Sequence, residues 1–209
     1  MQRIIGFMGF KGSGKDTVAN ILNEYDDFQN FAFAQTLKQI LCVIFNWDYN
    51  MIEGHTKASR KWRDEVDHWW AEKLGIPDFT PRKAMTLIGT DVFRNYFHEY
   101  IWIYTLENKI QNTNSNVIIT DIRFKNEHNM IRQLGGEIYR INRFKPDWYD
   151  LGYSASLGCK HAESILNEKE IHRSEWEWLS CDYDDNIDNS KDFKYLVAEI
   201  EKNIINRNP

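Results

Sequence analysis

Apolar residues along the chain form short continuous runs that alternate with segments of helical spacing. The run at residues 3–9 is typical of a strand buried on both faces of a parallel sheet. From Lys15 onward, apolar residues recur at i, i+3, i+4 and i+7, which predicts a helix with one buried face. The chain is therefore predicted to open with a strand, a glycine-containing loop and a helix.

The same patterns predict the elements that follow. Further strands are expected at residues 31–33, 117–120, 137–142 and 183–187. A helix with apolar residues from Leu37 to Phe45 follows the second strand, and Ser190 is predicted to cap the last helix. Alternating strands and helices predict an α/β fold with a central, mainly parallel sheet, in which ligands bind at the carboxyl ends of the strands.

Two segments differ from this alternation. Residues 46–80 are rich in tryptophan and charge, with Trp62, Val66, Trp69 and Trp70 at helical spacing. Thr80 and Pro81 then predict the start of helices that continue to about Ile110. We interpret residues 1–209 as a single domain that carries a helical, acceptor-binding insertion at about 46–110. The aperiodic residues 143–181 have the size of a lid.

Composition excludes several classes of partner. The net charge of −5 lacks the basic surface expected of a protein that binds duplex nucleic acid. The apolar runs are too short to span a membrane, which predicts no membrane partner. Three scattered cysteines argue against a disulfide framework and favour the cytoplasm.

Residues 9–15, GFKGSGK, match the phosphate-binding pattern G-x-x-x-x-G-K between the first strand and helix. Such a loop turns its backbone N–H groups toward phosphate oxygens, and its lysine reaches the β and γ phosphates. An ordinary glycine turn is the alternative. The predicted triphosphate-binding residues are Gly9, Lys11, Gly12, Ser13, Gly14, Lys15, Asp16 and Thr17.

Asp16 stands where this pattern usually has a Ser or Thr hydroxyl on Mg²⁺. Thr17 does not simply replace that hydroxyl, because one residue along a helix turns a side chain by roughly 100°. Asp16 is therefore either a Mg²⁺ ligand or a first-turn carboxylate that favours the helix N-terminus.

A kinase for a phosphorylated acceptor needs arginines around a second phosphate. Asp121 and Arg123 follow a predicted strand, where Asp121 would face the metal and Arg123, with Glu127, the acceptor. The alternative is an Asp121 N-cap with an Arg123–Glu127 pair across one helical turn. Arg143 is a candidate for neutralising the transferred phosphoryl group. The predicted catalytic residues are Lys15, Asp16, Asp121, Arg123 and Arg143.

Several segments together resemble the deoxynucleoside monophosphate kinases of bacteriophages. They are GFKGSGKDT, FAFAQTLK, RKAMTLIGTDVFRNYF, TDIRFKNE, the RINR to HAES stretch and IDNSKDFKYL, in this order. The resemblance implies a three-layer P-loop kinase fold, ATP with Mg²⁺, a deoxynucleoside monophosphate acceptor, a homodimer and a place in the host cytoplasm.

The resemblance also implies roles for individual residues. Arg82, Thr90, Asp91, Arg94 and Arg123 would bind or orient the acceptor, Arg143 would belong to a lid, and Asn189 would lie near the adenine. Other hypotheses are a P-loop kinase for dephospho-coenzyme A or phosphomevalonate, and an NTP-binding ATPase or switch. Several arginines beyond the loop favour a kinase over the last of these, because hydrolysis needs only a positioned water.

Overall fold

A computed structural model describes residues 2–206 and confirms the α/β fold. Its sheet has five strands, β1 (Ile4–Met8), β2 (Phe28–Phe31), β3 (Asn116–Ile119), β4 (Glu137–Asn142) and β5 (Asp185–Asp188). The strand order is β2-β3-β1-β4-β5, and every neighbouring pair is parallel.

Helices connect and cover these strands. The α-helices are α1 (Lys15–Tyr25), α2 (Gln35–Phe45), α3 (Tyr49–Glu53), α4 (Lys57–Trp62), α5 (His68–Leu74), α6 (Pro81–Thr86), α7 (Ile101–Gln111), α8 (Lys125–Gln133), α9 (Tyr149–Ser156), α10 (Lys160–Glu168) and α11 (Phe193–Ile200). Leu87–Phe97 and Glu201–Ile205 are π-helical, and Arg173–Glu175 and Glu177–Ser180 are short 3-10 helices. Among residues 2–206, no helix has both the length and the apolar character needed to cross a membrane.

Both faces of the central strand β1 are covered. Ile5 packs on one face in a cluster with Val18 of α1 and Leu196 of α11. On the other face Gly6 lies so near Ile131 of α8 that an added Cβ would come within 3.1 Å of its Cδ1 atom. Helices on the two faces of one parallel sheet give three layers, which is why β1 is apolar without interruption.

The strand order creates a crevice at the carboxyl end of the sheet. The chain leaves β1 toward β2 through α1, whereas it leaves the adjacent β3 through α8 toward β4 on the other side of β1. Parallel sheets bind ligands where neighbouring connections diverge in this way. The loops that follow β1 and β3 therefore flank the same crevice.

Residues 33–106 form a second compact unit, which is helical. Its core includes Leu41, Phe45 and Ile52. The Phe45 ring stacks on Trp47 at a centroid distance of 4.5 Å, and the Trp47 indole N–H donates to Asp67 at 2.8 Å. Most of the tryptophans in this segment are therefore core residues, as expected for large rings with one polar atom to satisfy.

The bounds of this helical unit differ from the predicted insertion. It begins before α2, whereas the predicted start was residue 46, and the last residues of α7, from Glu107, group with the sheet. Trp62 and Trp70, which share helical spacing in the sequence, lie on two different helices, α4 and α5. Asp67 caps α5 by accepting the Trp70 N–H at 3.1 Å, which ends the helical register shared by the two tryptophans.

Two strands are displaced from their predicted positions. β2 lies at Phe28–Phe31, three residues before the predicted start, because its register on β3 sets Phe28 opposite Asn116. It is an edge strand, and exposed Gln29 and Asn30 interrupt the apolar run that a sequence pattern detects. β5 begins at Asp185, two residues after its predicted start.

Residues 143–181 contain α9, α10 and the two 3-10 helices. Trp176 and Trp178 are only 3% and 1% exposed, so the second half of the segment contributes to the core. Trp178 lies in a 3-10 helix and Trp176 in the turn before it, so this half of the segment has no α-helical period.

The predicted N-cap of the last helix is wrong. Asp192, not Ser190, caps α11, because its carboxylate accepts the Tyr195 N–H at 2.9 Å. The Ser190 N–H instead donates to Asp188 at 2.9 Å.

Asp192→Ala is expected to lower the free energy of unfolding by about 1 kcal/mol, the usual contribution of an N-cap. Urea denaturation followed by circular dichroism measures this change. Ser190→Ala is the matched control and should change the unfolding free energy by less than about half as much. Equal losses in the two variants would contradict the assignment of the cap.

Candidate active site

The loop after β1 has the backbone of a phosphate cradle. Gly12 and Gly14 have φ of 83° and 97°, in the left-handed region that glycine adopts without strain. A Cβ on Gly14 would lie 2.2 Å from the Asn189 side-chain nitrogen, and one on Gly9 would lie 2.6 Å from Ser13 Oγ. Conformation and space therefore both favour glycine at these positions, as a phosphate-binding loop needs.

Lys15 is folded back onto the loop. Its Nζ donates to the carbonyls of Gly9 at 2.8 Å and Phe10 at 3.0 Å, and the residue is only 9% exposed. Burial is the main cause that lowers the pKa of Lys15 to about 8, and the positive charge of nearby Arg123 is the second.

Three carboxylates oppose this shift in the pKa of Lys15. Asp16, Glu175 and Asp121 each raise it through their negative charge, in that order of size. Asp16 lies exposed in the first turn of α1, and half-buried Asp121 follows β3. Arg123 and the three carboxylates are therefore close enough to Lys15, at the crevice of the sheet, to interact with it electrostatically.

The carboxylates fit a Mg²⁺ ion that is bound mainly through phosphates. Residues 2–206 contain no group of three or more His, Cys, Asp or Glu side chains that could hold a metal. Mg²⁺ does not require such a group, because it is usually bound by one or two carboxylates together with substrate phosphates and waters. Asp16 and Asp121 are two carboxylates near the loop that could serve in this way.

Arg123 is held by the segment that follows α10. Its Nη1 donates to Glu175 Oε1 at 2.7 Å, and the two side chains are 26% and 29% exposed. Glu127 has a different function, because its Oε2 accepts the backbone N–H groups of Arg123 at 2.8 Å and Phe124 at 3.1 Å.

These contacts change two predictions. Glu127 is 2% exposed and anchors the start of α8, so its predicted contact with an acceptor does not fit its position. The alternative in which Asp121 is the N-cap of the following helix is also wrong, because the N-cap position of α8 is Phe124.

Arg143 and Asn189 both contact the phosphate loop. Arg143 is exposed and its Nη1 donates to the Gly12 carbonyl at 3.3 Å. The Asn189 side chain donates to the Ser13 carbonyl at 2.8 Å, while its backbone N–H donates to Asn142 at the end of β4. Asn189 thus supports the loop from the neighbouring strand ends.

The other predicted acceptor residues belong to the helical unit. Arg82 is ion-paired with Asp64. Thr90, Asp91 and Arg94 lie on the π-helical segment, where Asp91 is exposed and the other two are half-buried. Helices of this kind are rare and are frequent at functional sites.

Comparison with known proteins identifies the family. A family model described as deoxynucleotide monophosphate kinase matches residues 64–171. A protein of Acanthamoeba polyphaga mimivirus named as a deoxynucleotide monophosphate kinase is 32% identical, with 67% of this chain and 74% of that protein aligned. The chain belongs to the deoxynucleotide monophosphate kinase family.

Other similar proteins are more distant from this kinase. The deoxynucleoside-5'-monophosphate kinase of Escherichia phage T5 is 25% identical, with 64% of this chain and 73% of that enzyme aligned. Among solved structures, a dephospho-CoA kinase from Campylobacter jejuni superposes with a TM-score of 0.46 at 16% identity, covering 96% of this chain and 95% of that one.

Two residues of the kinase site were missed by the sequence analysis. Glu175 lies in the aperiodic part of the chain and follows no pattern that links it to Arg123. Phe10, an unspecified position of the loop motif, is 5% exposed and packs against Trp148 and Trp178 at centroid distances of 5.5 and 5.1 Å. Its apolar character within the polar loop was the only available signal.

The affinity of the kinase for ATP is expected to fall as the pH rises through about 8, the pKa of Lys15 in the free protein. Below that pH the amine is charged and attracts phosphate, whereas above it the neutral amine must first take up a proton. Calorimetric titrations between pH 7.5 and 9.5 measure the change, which approaches about tenfold per pH unit at the alkaline end. Lys15→Met should bind weakly with no such slope, and an unchanged slope would contradict the assignment.

Asn189→Ala tests whether Asn189 supports the loop or reads the base. Loss of its hydrogen bond to Ser13 should lower the affinities for ATP and GTP equally, by about three- to tenfold. Competition binding with the two nucleotides measures both affinities. A loss confined to ATP would instead indicate that Asn189 contacts adenine.

Proposed function

We propose that this protein transfers the γ-phosphoryl group of ATP to the phosphate of a deoxynucleoside monophosphate, which yields ADP and a deoxynucleoside diphosphate. The observation that carries the proposal is the juxtaposition of the Lys15 loop with Arg123 at the end of the adjacent strand. A phosphotransferase needs positive charge for two phosphate groups at one crevice. Family membership supports a nucleotide acceptor over dephospho-coenzyme A or phosphomevalonate.

The loop would hold the donor. Backbone N–H groups of residues 9–15 and the N-terminus of α1 would bind the triphosphate, with exposed Lys11 and Thr17 at its edge. Lys15 would exchange its two loop carbonyls for β and γ phosphate oxygens. We retain Asn189 as a donor-site residue through its hydrogen bond to the loop.

Asp16 and Asp121 would hold Mg²⁺ with the donor phosphates. When bound, the ion neutralises charge on the phosphate oxygens. Both carboxylates act electrostatically on Lys15, which supports their placement beside the loop.

Arg123 would bind the acceptor phosphate, and we retain Arg82, Thr90, Asp91 and Arg94 as acceptor residues on the family resemblance alone. No general base is needed, because a phosphate monoester has a second pKa near 6 and already carries an anionic oxygen at neutral pH. That oxygen forms the new bond to the γ phosphorus as the bond to the β–γ bridging oxygen breaks. Arg143 would stabilise the charge that develops during this exchange.

Incubation of the protein with ATP, Mg²⁺ and each of the four deoxynucleoside monophosphates tests the proposal. Chromatography should show a new diphosphate with at least one acceptor, and Lys15→Ala should abolish it. ADP formed without an acceptor product would indicate an ATPase instead. Light scattering on the same sample tests the homodimer that the family resemblance implies.

Arg123→Ala is expected to raise the acceptor KM by about 10- to 100-fold, because a charge-assisted hydrogen bond contributes about 1.5 to 3 kcal/mol. The dissociation constant for ATP should change much less. Lys194→Ala removes an exposed charge from α11 and serves as the control. Equal loss of ATP and acceptor affinity would rule out the proposed role.

A further inference from the structure

We propose that Glu175 is a positioning residue that orients the Arg123 guanidinium for the acceptor phosphate. The inference rests on the proposed function, because it assigns Arg123 to the acceptor. It adds a residue that neither the phosphate-loop motif nor the family match identifies.

The ion pair leaves donors of Arg123 for a ligand. Glu175 accepts a hydrogen bond from Nη1 at 2.7 Å. A guanidinium carries five N–H donors in a rigid plane, so fixing it at one corner also fixes the direction of the others. Its side chain is 26% exposed, which leaves part of the group accessible at the crevice.

The residues next to Glu175 are held firmly. Trp176 is buried at 3% exposure and Glu177 at 7%. Glu177 Oε1 accepts the Lys125 backbone N–H at 3.2 Å, and its other oxygen is ion-paired with Arg173. Lys125 lies two residues after Arg123, so one segment binds both the backbone and the side chain of this loop.

This arrangement suits a positioning function. A guanidinium on a flexible side chain loses rotamer entropy when it binds phosphate. A carboxylate on a rigid segment removes part of that cost before the acceptor arrives. In metal sites, removal of a residue that orients a ligand in this way typically lowers affinity or activity by about 10- to 100-fold.

The negative charge of Glu175 also favours the charged form of Lys15, which binds phosphate. It opposes the effect of Arg123 on Lys15, since Glu175 raises the pKa of the lysine and Arg123 lowers it. The carboxylate therefore helps Lys15 to remain charged beside Arg123 at neutral pH.

A double-mutant cycle at pH 7 tests the inference, with initial rates at saturating ATP and varied deoxynucleoside monophosphate. Glu175→Ala should raise the acceptor KM about tenfold and leave the dissociation constant for ATP within about twofold. In the Arg123→Ala background the same substitution should have no further effect. Glu175→Gln, which keeps an acceptor oxygen but loses the charge, should fall between wild type and Glu175→Ala.

Glu168→Ala removes an exposed carboxylate at the end of α10 and is the control for net charge. Thermal unfolding of each variant separates positioning from stability, and the glutamine variant preserves the test if the alanine variant does not fold. Equal losses of ATP and acceptor affinity, or additive effects in the cycle, would overturn the inference. So would an unchanged acceptor KM in both Glu175 variants while Arg123→Ala raises it. If Arg123→Ala leaves the acceptor KM unchanged, the proposed role of Arg123 fails as well.

Discussion

The site depends on the backbone of residues 9–15, which must keep its curved conformation although three of its residues are glycines without side chains. Its glycines allow the curvature, but they also make the unfolded loop conformationally free. The surrounding fold supplies the missing restraint. Phe10 is inserted among aromatic rings on one side, and Asn189 binds the Ser13 carbonyl on the other. The loop is therefore held at both ends of its turn before any ligand binds.

Charge is balanced at short range in the same crevice. Lys15 and Arg123 repel each other, and burial further disfavours a charged Lys15. Asp16, Asp121 and Glu175 offset this effect from three different parts of the chain, namely α1, the end of β3 and a 3-10 helix. Lys15 and Arg123 can thus lie close together, as the proposed binding of two phosphates requires.

Sequence patterns predicted most of the sheet unit because its strands and helices follow regular periods. They failed where tertiary contacts decide the outcome. The exposed Gln29 and Asn30 interrupt the apolar pattern of the edge strand. Asp67 begins a new helix between tryptophans that share helical spacing. In the site, local motifs predicted the loop and Arg123. Glu175 could not be found, because its contact spans 52 residues and lies in a segment without period. Glu127 was assigned to the acceptor because a sequence does not show that its carboxylate faces backbone N–H groups.

The resting state of Lys15 has a consequence for ligand discrimination. Its ammonium group already donates to two carbonyls of its own loop, so a nucleotide gains only the difference between those hydrogen bonds and the new ones. A nucleoside or a weakly charged ester offers too little in exchange. Ligands with dense negative charge would gain most, so these two hydrogen bonds are expected to favour polyphosphates.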